Sequence, residues 1–286
     1  MKKTLLITLA LLLLASTGHA YTCTATKAGN WNDTSVWTGS CNSTYPQAGD
    51  AVVLAGYVVA MNVARIPASG SLASINGATT SSQITVDMSA TGINGNATID
   101  CGTGNITGGG VSGTIITTVA STNTLTITGN LVFSGSTANR SVLRVSTTGN
   151  NPSIVINGNV TGGAGSYAIG IYIYNGTYSG SITVNGNVTG GSAANAAGIE
   201  GGSDVTGTIA LTGNIVDGSA APAIYWPSTV TWTPGNTYYH QTSSGVTLYN
   251  DTDPGIANVK SGTTYYYKSG TIKTGTLAGG GGAWAN

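Results

Sequence analysis

The phrase SIVINGNVTGG occupies residues 153–163 and SITVNGNVTGG occupies 181–191, so nine of eleven letters recur after 28 residues. A chain that repeats at such an interval is built of stacked copies of one small unit, because each copy must offer its neighbours the same packing face. The repeat extends in both directions. Thr128-Gly129-Asn130, Asn157-Gly158-Asn159, Asn185-Gly186-Asn187 and Thr212-Gly213-Asn214 fall in one column, and their final asparagines are 29, 28 and 27 residues apart. Leu125, Ile154, Ile182 and Ile209 stand five residues before those asparagines. Ile127, Ile156, Val184 and Leu211 stand three before, and Leu131, Val160, Val188 and Ile215 one after.

Alternation of Ile, Val and Leu with Ser, Thr and Asn is the signature of half-buried strands. No segment beyond residue 20 carries a helical period with caps. Short strands, Gly-containing turns and a 28-residue unit together specify an all-β fold, a single-stranded parallel β-helix with one coil per repeat. Right-handedness is expected from the general preference of such coils. The aliphatic columns would stack inside the helix, about 4.8 Å apart. The asparagines Asn130, Asn159, Asn187 and Asn214 would form a ladder at a corner, where Asn and Gly tolerate positive φ and amides bond from coil to coil. Upstream the pattern is weaker but continues through Ile84, Val86, Ile93, Ile99, Ile115 and Val119. The solenoid is expected over 52–225, in roughly six or seven coils.

The chain begins MKKTLLITLALLLLASTGHA, with two lysines, an apolar run at 5–15 too short to span a bilayer, and small residues before a cut near residue 20. This is the pattern of a bacterial secretory signal peptide, so the product is expected to be secreted, extracellular or held at the cell surface, with no membrane span. The chain has 9 basic and 9 acidic residues, and removing Lys2 and Lys3 leaves 7 against 9, a net charge of about −2. Such a surface lacks the basic face that nucleic acid requires. Ser, Thr and Asn do the solvating instead.

Cys23 and Cys41 lie close in sequence and are the expected disulfide in an oxidising compartment. Cys101 is left over, either as a buried free thiol in a strand or as a link between chains. The residues Gly29-Asn30-Trp31, Val36-Trp37, Pro46 and Gly49-Asp50, with the strands after them, resemble the N-terminal module of secreted bacterial β-helical proteins related to the G8 domain, over about 29–77. A solenoid must cover its open end against strand addition. Trp31 and Trp37 would therefore act as a lid, the alternative being a platform for sugar stacking. Near the C-terminus, Asp253-Pro254-Gly255, Ala257-Asn258-Val259, Gly262, Tyr265 and Thr274-Gly275-Thr276-Leu277 resemble a short module of phage-tail and prophage-like fibre proteins. That resemblance implies a β-hairpin carried by a larger fibre. The organisation expected is a signal peptide at 1–20, a cap at 21–51, the β-helix at 52–225, an aromatic-rich β module at 226–277 and a Gly-rich tail at 278–286. Trp284 in that tail is either part of a loose end or an anchor for a neighbouring subunit.

Parallel β-helices include polysaccharide lyases and hydrolases, whose chemistry needs clustered carboxylates, often with calcium and a basic residue. The candidates are Asp87, Asp100, Glu200, Asp204 and Asp217, with Arg140 and Arg144. Asp204 and Asp217 are half a period apart, which puts them on different faces. His240 has no nearby histidine or thiol, so a metal site or a Ser–His pair is not expected. Asn250-Asp251-Thr252-Asp253 alternates oxygen ligands as calcium loops do, but Pro254-Gly255 makes it a turn. Tyr167, Tyr172, Tyr174 and Tyr178 crowd one coil. Tyr172 and Tyr174 share strand parity and are either core or an outward stripe for a sugar or a partner.

The function expected is a non-enzymatic secreted or surface structural protein, an adhesin or filament subunit, with no cofactor and with itself or a cell-surface polysaccharide as partner. The second expectation is a carbohydrate-binding, host-recognising fibre, and the third a polysaccharide lyase or hydrolase.

Overall fold

The structure is a computed structural model. It describes residues 20–38, 41, 44–77, 81–108, 114–118, 121–135, 140–146, 151–174, 178–193, 195–201, 208–213, 215–216 and 218, with short pieces at 224–225, 240–241, 247–248, 264–267 and 271–274. The leader at 1–19, the residues 250–253 and the tail with Trp284 lie outside the described residues, as do Asn214, Asp204 and Asp217.

The chain is a parallel β-solenoid with two sheets. Its strands come in order as β1 (Thr22–Thr24) and β2 (Gly29–Asn30), then β3 (Ala51–Val53) and β4 (Val58–Met61). Next are β5 (Arg65–Ile66), β6 (Ser74–Gly77) and β7 (Gln83–Val86), then β8 (Ala97–Gly108) and β9 (Ile116–Thr118). They are followed by β10 (Thr124–Phe133), β11 (Arg140–Ser146), β12 (Ser153–Asn157), β13 (Val160–Thr161) and β14 (Ala168–Tyr174). The last are β15 (Ser181–Val184), β16 (Val188–Thr189), β17 (Ile199–Gly201), β18 (Thr208–Leu211), β19 (Ile215–Val216) and β20 (Ile224–Tyr225). The long sheet runs β1-β3-β6-β8-β10-β12-β15-β18, with β5, β13, β16 and β19 paired alongside. The short sheet runs β2-β4-β7-β9-β11-β14-β17-β20. Every pairing in both is parallel. Two antiparallel pairs, 240–241 with 247–248 and Thr264–Tyr267 with Thr271–Thr274, are not hydrogen-bonded into these sheets.

The 28-residue interval is the register of the stack. Leu125 pairs with Ile154, Ile154 with Ile182, and Ile182 with Ile209. Successive pairs likewise align Ile99, Ile127, Ile156, Val184 and Leu211. From the short sheet, Val59, Ile84, Ile116, Leu143, Ile171, Ile199 and Ile224 form a facing column. Of these, Val59, Ile84, Ile116, Leu143, Ile171 and Ile199 are fully buried. Each such side chain contributes about 1.5–3 kcal/mol by leaving water. A one-residue slip would turn a whole column outward, so register is strongly specified.

The asparagine motif departs from the expected corner. β13 continues beside β10 and β16 in the same long sheet as β12, so Asn-Gly-Asn is a kink within one face. Among the described residues the positive-φ asparagines are Asn94 and Asn195, not Asn130, Asn159 or Asn187. The reason for glycine between the asparagines is rung-to-rung proximity. A Cβ on Gly158 would overlap the carbonyl of Gly129, one on Gly186 that of Gly158, and one on Gly213 that of Gly186. Only glycine lets these backbones approach.

The ladder also continues upstream of residue 52. β1 lies on β3, and Cys23 pairs in register with Val52. The disulfide Cys23–Cys41, with Cα atoms 4.9 Å apart, ties β1 to the loop that follows β2. That loop returns along the outer edge of β1. The Thr26 N–H donates to Val36 O at 2.8 Å, the Thr38 N–H donates to Thr24 O at 2.9 Å, and Ala25 and Trp37 form an antiparallel bridge. The buried Asp50 carboxylate accepts from the N–H groups of Tyr21 at 3.0 Å and Gln47 at 2.9 Å, fixing the first strand on the second turn.

Candidate functional site

The outer side of the long sheet carries the asparagine ladder. Asn130 Nδ2 donates to Asn105 Oδ1 at 3.1 Å, and Asn159 Nδ2 donates to Asn130 Oδ1 at 3.1 Å. The Asn130 oxygen also accepts the Asn159 N–H at 3.0 Å, and Asn159 Oδ1 accepts the Asn187 N–H at 2.9 Å. A second ladder joins Asn185 Nδ2 to Asn157 Oδ1 at 2.9 Å. These side chains are held in place by one another. Beside them the outer positions form the columns Thr98–Thr126–Val155–Thr183 and Asp100–Thr128–Asn157. From β10 to β16 no strand of this face carries a charged residue.

The outer side of the short sheet is different. Its register runs Ala60, Thr85, Thr117, Arg144, Tyr172 and Glu200. Small side chains give way to an Arg–Tyr–Glu sequence on neighbouring rungs. Tyr172 is half-buried and takes the outer side, because Ile171 and Ile173 fill the inner positions. Of the two alternatives, core is therefore corrected by strand parity. Tyr174 pairs in register with Ser146. Its side chain lies outside the described residues. Tyr167 is exposed, and Tyr178 is fully buried with its hydroxyl 2.7 Å from Pro152 O and 3.0 Å from Ser181 O. The four tyrosines thus do not act as one surface.

Glu200 is 8% exposed, and its Oε2 has no hydrogen-bond partner. Burial pushes its carboxyl up to about 7. Asp100 lies on the opposite sheet. Burial alone would raise it, but hydrogen bonds from Ser71, the Gly102 N–H and Arg65, with the Arg65 charge, hold it below the ordinary carboxylate range. The Arg65 guanidinium meets it at 2.7 Å. Asp87 caps a turn by accepting the Ser89 N–H at 2.9 Å. The three described acids of the catalytic hypothesis are thereby distributed over two sheets and a loop. Arg65 was not among the bases singled out from the sequence. Its signal was adjacency to the strand-forming Ile66, which would place it on the outer side of a rung. Among the described residues, no three His, Cys, Asp or Glu side chains lie together as a metal site.

At the N-terminal end Trp31 and Trp37 pack edge to face with centroids 5.0 Å apart, and both are buried. The Trp37 indole N–H donates to Trp31 O at 2.8 Å. Burial removes their faces from solvent, so neither ring offers a stacking platform. Cys101 is 1% exposed, and burial, with the Asp100 charge beside it, pushes its thiol up to about 12. That places it in the core and out of reach of a second chain. No helix among the described residues is long and apolar enough to cross a membrane.

Comparison with protein-family models, with curated proteins and with solved structures found no match to this chain. The class defined by the fold alone is a two-sheet parallel β-solenoid with one disulfide.

Proposed function

We infer that this is a secreted, non-enzymatic solenoid that serves outside the cell as an adhesin or a subunit of a filament. The observation that carries the reading is the long sheet's outer face. From β10 to β16 its asparagines bond one another from rung to rung, and its strands carry no charged residue. Catalysis by acid–base chemistry needs ionisable groups converging on one reacting atom. The described acids instead hold turns and ion pairs or stand alone. The disulfide and the leader support export. The Trp31–Trp37 pair and the loop on the β1 edge support a cap at the N-terminal end, in keeping with the need to cover open strand edges.

The second reading, recognition of a carbohydrate, is favoured by one observation: Tyr172 on the outer side beside Arg144 and Glu200. An aromatic ring between hydrogen-bonding groups is a sugar-binding arrangement.

Light scattering on residues 21–286 and on the same chain ending at residue 277 tests the subunit reading. Higher assemblies of the longer chain and a monomeric shorter one would assign Trp284 as an anchor. Monomers of both at high concentration would remove self-assembly through the tail. Binding of a glycan array by either, lost in Tyr172→Ser, would put the second reading first.

A further inference from the structure

We propose that the outer face of the long sheet, from β10 to β16, is a self-complementary interface that joins two copies of this chain side by side. The proposal rests on the subunit reading above and says where the subunits meet.

The first argument is the repeat itself. Thr126, Val155 and Thr183 stand in one column, Thr128 and Asn157 pair in the next, and the Asn185 amide bonds to Asn157. Rungs lie about 4.8 Å apart and alternate outer residues about 6.7 Å apart. A second copy of this chain is the one partner certain to present the same spacing in both directions. Short Ser, Thr, Val and Asn side chains at such spacing interdigitate between facing sheets, as they do in dry zipper interfaces. Asparagine ladders add to that pairing.

The second argument is cost. No charge on β10, β12, β13, β15 or β16 has to be stripped of water. The Thr and Val side chains have few rotamers, and the amides are already fixed by their ladders. Little order remains to be lost on association. The Arg65–Asp100 pair lies on the neighbouring rungs and would form a charged rim.

The third argument is area. Ten residues of β10 span about 33 Å, and the three rungs from β10 to β16 cover about 14 Å. That gives about 475 Å² on each partner, or about 950 Å² in all, the size of a weak, transient interface. A weak complex with Kd in the micromolar range is expected.

The alternatives fit less well. An uncharged polysaccharide would be met by aromatic rings, and the outer positions of β10 to β16 carry none. Addition of a copy to the end of the solenoid at β1 is opposed, because Val36 and Thr38 already occupy that edge. A two-fold axis through β12 would set β10 of one copy against β15 of the other and bring Val155 close to the partner's equivalent residue.

The test is sedimentation equilibrium of residues 21–286 with three variants. Val155→Lys places like charges across the axis and should weaken dimerisation at least tenfold. Thr85→Lys, on the outer side of the short sheet, should leave it unchanged. A mixture of Val155→Lys with Val155→Glu should restore dimers, which a misfolded variant could not do. Equal dimerisation of wild type and Val155→Lys would overturn the proposed face and leave the subunit reading standing through another surface. A wild type that stays monomeric into the millimolar range would overturn the face and self-assembly together. Retention of that monomer on an uncharged polysaccharide, lost in Val155→Lys, would reassign the face to a glycan and also overturn the proposal.

Discussion

Replacing Gly186 with alanine tests the stacking directly. The new methyl would overlap the Gly158 carbonyl and lie 3.1 Å from the Asn159 nitrogen, so every obstructing atom is backbone and none can rotate away. Relief requires the two rungs to part locally by about 1 Å, since ordinary carbon–oxygen contact begins near 3.4 Å. Four hydrogen bonds cross that gap: Asn185 N–H to Ile156 O at 2.7 Å, Val160 N–H to Asn187 O at 2.8 Å, Asn187 N–H to Asn159 Oδ1 at 2.9 Å and Asn185 Nδ2 to Asn157 Oδ1 at 2.9 Å. Overpacking costs about 1–3 kcal/mol, and weakening these bonds adds about 1–2 kcal/mol. The lost chain entropy of glycine returns about 0.4–1 kcal/mol. The net expectation is a destabilisation of about 2–4 kcal/mol. Gly95 is the control, because a Cβ there meets nothing within 4 Å and its φ is ordinary for L-residues. Gly95→Ala should be neutral or stabilise by up to about 1 kcal/mol. Urea unfolding followed by circular dichroism reads both through the midpoint at constant slope. A Gly186→Ala midpoint equal to that of wild type, or a Gly95→Ala loss of equal size, would refute the argument from rung proximity.

Other predictions follow from the same contacts. Asn159→Ala removes one link of an exposed ladder on both sides and should cost about 1–2 kcal/mol in the same assay, with Asn159→Asp restoring the acceptor but not the donor. The Glu200 carboxyl is raised in the fold, so the protonated form is favoured there. Its burden is absent below about pH 4.5, grows as pH rises, and is complete above about pH 7. Glu200→Gln should therefore match wild type at pH 4.5 and exceed it by about 1–3 kcal/mol at pH 8; parallel stability curves across that window would contradict the assignment. Cys101, with its thiol pushed up to about 12 and buried, should resist a thiol-titrating disulfide reagent at pH 8 in the native protein and react at once in denaturant. Tyr178→Phe leaves the buried Pro152 and Ser181 carbonyls without the phenol donor and should cost about 1 kcal/mol or somewhat more, measured by thermal unfolding.

The long sheet was legible because its three aliphatic positions keep fixed offsets from an asparagine that recurs at nearly constant spacing. Leu125, Ile154 and Ile182 share one offset from it and are neighbours in register. The short sheet was not aligned, although Leu143, Ile171 and Ile199 are also 28 residues apart. Its strands carry Arg144, Tyr172 and Glu200 at equivalent outer positions, so no shared letter marks the column. Physical equivalence there is one of direction, not of residue type. The corner assigned to the asparagines failed for a related reason: Asn-Gly is common in turns, but Gly158, Gly186 and Gly213 answer to the carbonyl of the rung beneath, and Gly129 alone of the column has a positive φ, 132°. The pairing of Val36 and Thr38 on β1 joins segments of opposite direction, which a search for a translational repeat does not find. The sugar-platform alternative for Trp31 and Trp37 fails because both rings are buried, which their spacing in the sequence does not reveal.

Whether residue n lies beside residue n + 28 is the claim on which the rest depends, and cysteine pairing measures it. Val155→Cys with Thr183→Cys puts two thiols on in-register neighbours of adjacent parallel strands, within the Cα separation that a disulfide accepts, about 4.4–6.8 Å. Val155→Cys with Asn187→Cys puts them on the same two rungs but four residues out of step, beyond about 13 Å. Mild oxidation followed by mass spectrometry of peptides should give a full crosslink in the first pair and none in the second. A crosslink in the offset pair with none in the in-register pair would contradict the stacking and, with it, the solenoid.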